Sequence, residues 1–306
     1  MRLLVVGAGS TGGYFGGRLA EAGRDVTFLV RPRRAAQLRE TGLRIRSPHG
    51  DADLVPQLAL AEDLRGPYDA ILLTVKGYAL QASLDDIAPA VGPDTIILPV
   101  LNGMRHIDLL TERFGAQAVG GGLCRCSTTL GENGEIIQLA KFQDLVYGEL
   151  SGEKTARIEA LDAFLQGAGF EARLSPDIAR EMWGKWFFLS SLAAATCLMR
   201  GTIGEIAAVP GGASVVEAIV DEAQTIISAA GVAPSPKAVA TAKAQLTEAG
   251  SKLTSSMFRD LEAGLAVEAV EILGDLVARG EKHGISAPLL TAAYVNLAVY
   301  AGRQPG

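Results

Sequence analysis

The stretch Leu3-Leu4-Val5-Val6-Gly7-Ala8-Gly9-Ser10-Thr11-Gly12-Gly13 leaves the chain few folds to choose from, because an apolar run leads straight into a G-x-G-x-x-G turn. The apolar residues predict a buried strand, and the glycine spacing predicts a strand-to-helix turn. Gly7 permits the tight bend, Gly9 lets a pyrophosphate come up to the backbone, and Gly12 lets the following helix pack on the strand. That helix, expected from about Ser10 to Ala22 and closing at Gly23, would aim its unpaired N–H groups at phosphate oxygens. The spacing alone is a weak signal. A strand before it, a helix after it and a second apolar run at Val26-Thr27-Phe28-Leu29-Val30 supply the context a dinucleotide-binding turn needs. Gly7, Ala8, Gly9, Ser10, Thr11 and Gly12 are therefore candidate cofactor-binding residues.

In such a fold an acidic residue about 20 positions beyond the turn takes the ribose hydroxyls, whereas an Arg there takes a 2′-phosphate. Arg31 falls 19 positions after Gly12, with Arg33 and Arg34 close behind. A guanidinium fork suits a doubly charged phosphate; the alternative is a solvated basic helix start. Residues 43 to 60 read as a small hairpin turning at Pro48-His49-Gly50-Asp51. Two further apolar runs, Tyr68 to Val75 and Thr95 to Leu101, deliver Lys76 and Asn102 at their carboxyl ends, the edge where an open parallel sheet binds ligands. Lys76 can equally be a surface lysine. Gly131-Glu132-Asn133-Gly134 looks like a hairpin whose antiparallel strands complete the sheet. A polar helix from Glu153 to Leu165 and a strand near Phe170 to Leu174 close an α/β domain over residues 1–174. Beyond Ser175-Pro176-Asp177 nothing reads as strand, and 177–200, 212–230, 235–248 and 257–283 have helical spacing, so residues 175–306 form an all-α domain.

Composition narrows the classes. With 28 Lys and Arg against 34 Asp and Glu, net charge −6 and no long basic run, neither nucleic acid nor an anionic membrane surface is an expected partner. The N-terminal run is too short for a signal peptide, and no stretch of about 18 apolar residues could span a bilayer, so a cytoplasmic protein is expected. Three cysteines, Cys124, Cys126 and Cys197, argue against a disulfide framework. The Cys124-Arg125-Cys126 pair lacks a nearby third ligand and reads as small residues lining a strand; with only His49, His106 and His283, no metal site is expected.

With the glycine turn, Arg31, Lys76, Asn102-Gly103-Met104 and Glu181-Met182-Trp183-Gly184-Lys185 in this order, the sequence resembles the ketopantoate reductase family over almost its whole length. Ser255-Ser256-Met257, Glu268 and Lys282-His283-Gly284-Ile285 are similar to that family's C-terminal pattern. The resemblance implies a Rossmann-type domain followed by a helical one, and NADPH-dependent reduction of a 2-oxo acid to a 2-hydroxy acid, as in pantothenate biosynthesis. By position it makes Lys185 the proton donor and Asn102 the catalytic asparagine at nicotinamide and substrate. Lys76 becomes a lysine on the cofactor side, Ser256 a serine at the substrate carboxylate, and Glu268 a glutamate that contacts the cofactor. It leaves a homodimer open.

The residues themselves are compatible with these roles. Hydride reduction of a carbonyl needs a donor for the developing alkoxide, and in a chain poor in histidine a buried lysine is the natural candidate. Lys185 sits among Trp183, Trp186, Phe187 and Phe188, where desolvation would make it a better acid unless its stem snorkels to water. The departures also carry information. Where family members have asparagines four and eight residues after the lysine, this chain has Leu189 and Ala193; Ile203 replaces a later one and Val270 an aspartate. The substrate-binding residues expected are thus Lys185, Leu189, Ala193 and Ser256, and a 2-oxo acid with an apolar tail should be preferred over ketopantoate. A 2- or 3-hydroxy acid dehydrogenase and a non-catalytic NADP(H)-binding sensor are the competing readings, the second disfavoured by retention of Lys185, Asn102 and Glu268.

Overall fold

The computed structural model describes residues 1–304. They fall into two compact units: Met1–Leu101 with His106–Ala179, and Asn102–Arg105 with the chain from Arg180 onward.

In the first unit the chain runs β1 (Arg2–Val6), α1 (Ser10–Glu21), β2 (Asp25–Leu29), α2 (Pro32–Thr41), β3 (Leu43–Arg46), β4 (Ala52–Leu54) and β5 (Gln57–Ala59). It continues through β6 (Ala70–Leu73), α3 (Leu80–Ile87), β7 (Ile96–Pro99), α4 (Arg105–Phe114), β8 (Gly120–Leu130), β9 (Ile136–Glu149), α5 (Ala156–Leu165) and β10 (Glu171–Leu174). One sheet has the order β5-β2-β1-β6-β7 and is parallel throughout. Its central strands are continuous apolar runs because both faces are covered. Leu3 and Val5 point into a core shared with Tyr14, Phe15 and Leu19 of α1, while Leu4 and Val6 point into a second core with Leu80 and Leu84 of α3 and Leu110 of α4. This is the Rossmann-type alternation that the sequence predicts.

The expected completion of that sheet by the hairpin is corrected. β8 and β9 pair antiparallel in a separate sheet, ordered β10-β9-β3-β4 with β8 on β9, and an isolated Ile97–Val119 bridge is the backbone link to the parallel sheet. The reason lies in α1. A Cβ on Gly13 would stand 2.4 Å from Ile136 Cδ1, and one on Gly17 2.7 Å from Ile45 Cδ1, so the glycine face of α1 admits a second layer. The hairpin turning at Pro48 to Asp51 is present, with Ile45 opposite Ala52, but it ends at Leu54 rather than near residue 60: Gln57–Ala59 leaves it to pair parallel with β2 at the edge of the first sheet. Cys124 and Cys126 are half-buried against the core on β8, and burial pushes the Cys126 thiol up to about 12.

The second unit is helical: α6 (Ile178–Met199), α7 (Ile203–Ala208), α8 (Gly212–Ala230), α9 (Pro236–Leu246), α10 (Ser256–Glu262), α11 (Asp275–Lys282) and α12 (Pro288–Ala301). The helix expected over 257–283 is interrupted: Gly264, at φ +70°, ends α10, and the chain re-enters through a π-helical turn, Val270–Gly274, that runs into α11. α7 is too short for periodicity to reveal but has a capping box, Thr202 Oγ accepting from Glu205 N–H and the Glu205 carboxylate accepting from Thr202 N–H. Among the described residues no helix is long and apolar enough to cross a membrane.

Candidate functional site

The glycine turn is shaped by three different demands. Gly7 has φ +95°, a conformation that L side chains rarely adopt. At Gly12 a Cβ would lie 2.2 Å from both the Gly7 carbonyl oxygen and Thr74 Oγ1, so nothing larger than hydrogen fits. The Thr74 hydroxyl braces the same spot, donating towards the carbonyls of Val6 (2.8 Å) and Gly7 (3.1 Å). Gly9 is the opposite case: a Cβ there would meet nothing within 4 Å. Gly9 is also the N-cap of α1, with no side-chain cap and no acidic residue in the first turn. The positive end of α1 thus adjoins open space beside half-buried Ser10 and Thr11 and buried Ala8, an arrangement that fits a dinucleotide pyrophosphate.

Arg31 follows β2 as the N-cap of α2, and both it and Arg33 are exposed. Arg34 differs. It is half-buried and donates from Nε to Ala8 O (3.1 Å), from Nη1 to Gln37 Oε1 (2.5 Å) and from Nη2 to Gly134 O (3.0 Å). Of the two arginines behind Arg31 that could join it on a 2′-phosphate, Arg34 thus already donates to the protein from each of its three nitrogens, and burial lowers its pKa. Lys76 is exposed, directly after β6 and Thr74.

The remaining candidates lie in the second unit. Asn102 is half-buried in the turn after β7. Its neighbour Gly103, at φ +83°, lies so close to the π turn that a Cβ would be 2.4 Å from Glu271 O. Lys185 is half-buried on α6 and followed by Trp186, 1% exposed, whose Nε1 donates to Ile272 O at 3.0 Å. A π turn displaces carbonyls from the regular ladder, and here two of them meet the chain neighbours of Asn102 and Lys185. Glu268, 6% exposed, precedes the same turn. These three predicted residues are therefore gathered around one irregular segment.

Sequence reasoning missed Glu271, one helical turn beyond Glu268. Burial raises its pKa and the nearby Glu268 charge adds to this, while a bond to its own backbone N–H and the Arg105 charge act the other way. Of the apolar replacements, Leu189 is half-buried, Val270 is exposed, and Ala193 (1%) and Ile203 (0%) are interior. Ser256 is exposed at the start of α10, whereas Ser255 is buried as its N-cap, accepting from Phe258 N–H and lying 3.0 Å from Thr196 Oγ1.

Residues 3–152 match the family model described as ketopantoate reductase PanE/ApbA, and residues 177–301 match the model of its C-terminal region. The chain is 36% identical over 304 residues to the uncharacterized oxidoreductase YkpB of Bacillus subtilis, covering 99% of this chain and 100% of that one. It is 29% identical to a 2-dehydropantoate 2-reductase of Mesorhizobium japonicum, over 90% of this chain and 92% of that protein. The crystal structure of a 2-dehydropantoate 2-reductase from Geobacter metallireducens matches with a TM-score of 0.84 at 28% identity, covering 98% of this chain and 99% of that one. With both halves matched and a relative similar along its full length, the chain belongs to the PanE/ApbA ketopantoate reductase family of oxidoreductases.

Proposed function

We propose that the protein reduces a small 2-oxo acid to the 2-hydroxy acid with NADPH. The observation that carries the reading is the unblocked N-terminus of α1 beside Gly9, where the missing side chain leaves room for a phosphate. Bound NADPH supplies a hydride for the carbonyl carbon. Gly7 to Gly12 hold the pyrophosphate through backbone N–H groups, exposed Arg31 takes the 2′-phosphate, and Lys76 and Glu268 contact the cofactor. Lys185 Nζ delivers the proton to the carbonyl oxygen as negative charge develops there, and Asn102 orients nicotinamide and substrate. Ser256 accepts the task of binding the substrate carboxylate.

The side chain at Leu189 favours an apolar tail. A distal hydroxyl like that of ketopantoate would be buried there without a partner, at a cost of about 1–3 kcal/mol. The test is NADPH oxidation across a panel of branched, linear and aromatic 2-oxo acids that includes ketopantoate. An apolar 2-oxo acid should give the highest kcat/KM. Ketopantoate outrunning every apolar acid would overturn the preference. Binding of NADPH without turnover of any 2-oxo acid would overturn the reductase reading and leave the sensor.

A further inference from the structure

Three side chains converge on the tip of the β8–β9 hairpin. Arg34 Nη2 donates to Gly134 O at 3.0 Å, Gln37 Nε2 to Asn133 O at 3.2 Å, and Arg44 Nη2 to Asn133 O at 3.1 Å. Only Arg34 among them also reaches the glycine turn, through Nε to Ala8 O at 3.1 Å. The contact at Gly134 is close: a Cβ there would lie 2.3 Å from Gln37 Nε2 and 2.6 Å from Arg34 Nη1, and the residue's φ is +76°. The guanidinium is rigid and planar, so its two ends fix the distance between the two carbonyls it bridges.

The Ala8–Gly9 peptide is planar and trans, so its C=O and N–H point in opposite directions. Holding the Ala8 oxygen on the Arg34 side therefore sets the Gly9 N–H to the other side of the turn. We propose that Arg34 is a positioning residue, not a phosphate ligand: by bridging Ala8 O and Gly134 O it holds the Ala8–Gly9 peptide in the orientation that presents the Gly9 N–H to a dinucleotide pyrophosphate. The pyrophosphate is common to NADPH and NADH, so Arg34 serves both cofactors equally, unlike Arg31. The assignment rests on reading the turn as the dinucleotide site.

The experiment measures NADPH and NADH dissociation constants by fluorescence for the parent, Arg34→Lys and Gly134→Ala. Lysine keeps the charge but cannot span two carbonyls; Gly134→Ala displaces the guanidinium, together with the Gln37 amide, from a site outside the turn. Each variant should weaken both cofactors by the same factor, about tenfold for the loss of a charge-assisted bond. Hydrogen exchange should accelerate in both the 7–10 and 131–135 segments, with the melting temperature of Arg34→Lys close to that of the parent and that of Gly134→Ala lowered by the strain of a Cβ at φ +76°. Loss confined to NADPH would make Arg34 a phosphate ligand and overturn the proposal, as would unchanged constants for both. A parent that binds neither cofactor would refute the dinucleotide reading instead. The bridge is then judged by exchange alone, and unaltered exchange of the 7–10 segment in Arg34→Lys would overturn it.

Discussion

Arg31 and Arg34 stand three positions apart at one helix start, yet the first is exposed and the second is engaged by backbone carbonyls. Under the proposed function Arg31→Ala should weaken NADPH by roughly ten- to a hundredfold, the scale of lost charge-assisted bonds, and leave NADH nearly untouched. Parallel titrations of both cofactors check this, and equal losses would make Arg31 structural. Lys185 is expected to act on turnover. Lys185→Ala should lower kcat by about 10²- to 10⁴-fold while NADPH fluorescence titrations stay close to the parent; a kcat within about threefold of the parent would remove it from the proton-donor role. The glycine turn was legible because its main constraints are local: Gly7 needs its φ, and a Cβ at Gly12 would already strike the Gly7 carbonyl within one strand-turn-helix unit, although the matching contact with Thr74 comes from just after β6. The role of Arg34 was not, since its partners lie 26 and 100 positions away.

At the scale of elements, β9 and α5 are joined by an ion pair that anchors the end of the second sheet. Glu149, 5% exposed, receives Arg157 Nε and Nη2, each at 2.8 Å, and the Thr155 hydroxyl at 2.5 Å; Thr155 also caps α5. Burial on its own would raise the Glu149 pKa, but the bonds from Arg157 and Thr155 outweigh it and hold the carboxyl below its ordinary value of 4.5. A depressed folded pKa gives stability that is present above the unfolded value and lost as pH falls through the folded one. Because Arg157 keeps 24% of its side chain exposed, Glu149→Gln should cost about 1.5–3 kcal/mol in urea unfolding at neutral pH, the scale of hydrogen bonds to a charged group, and the gap to the parent should narrow as pH drops below about 4.5. A pH-independent gap would mean that packing, not charge, is responsible. Apolar runs and turn residues made nearly all strands of the first unit readable. What they could not reveal was which sheet the β8–β9 hairpin joins, because that is decided by the glycine face of α1 under Ile136 and Ile45. The π turn was equally hidden: its apolar residues fit a helical period, and its irregularity is stabilised by Trp186 from another helix.

For the molecule as a whole, the α/β half and the helical half follow from hydrophobic period alone, whereas the proposed substrate preference rests on residues that only the folded chain sorts into open and closed positions. Leu189 is half-buried, but Ala193 is interior, so an asparagine at 193 would bury an amide in the core. Leu189→Asn alone should raise the kcat/KM for ketopantoate relative to apolar 2-oxo acids by about five- to a hundredfold, the equivalent of one rescued hydroxyl. Competition assays with paired substrates measure the ratio, and an unchanged ratio would exclude Leu189 from substrate choice.

The strip Asn102–Arg105 belongs with the helical unit although the chain on both sides of it belongs with the other. The helical unit is consequently not a contiguous stretch of sequence. A fragment beginning at Arg180 would lack the strip, and the Glu271 carbonyl that Gly103 now covers would be left open. Chimaeras between relatives meet the same constraint: exchanging α6 to α12 at one junction sets a donor's π turn against a recipient's 102–105 strip. A working exchange has to move two pieces of gene together, so in this fold the helical half and the turn after β7 should be inherited as a pair.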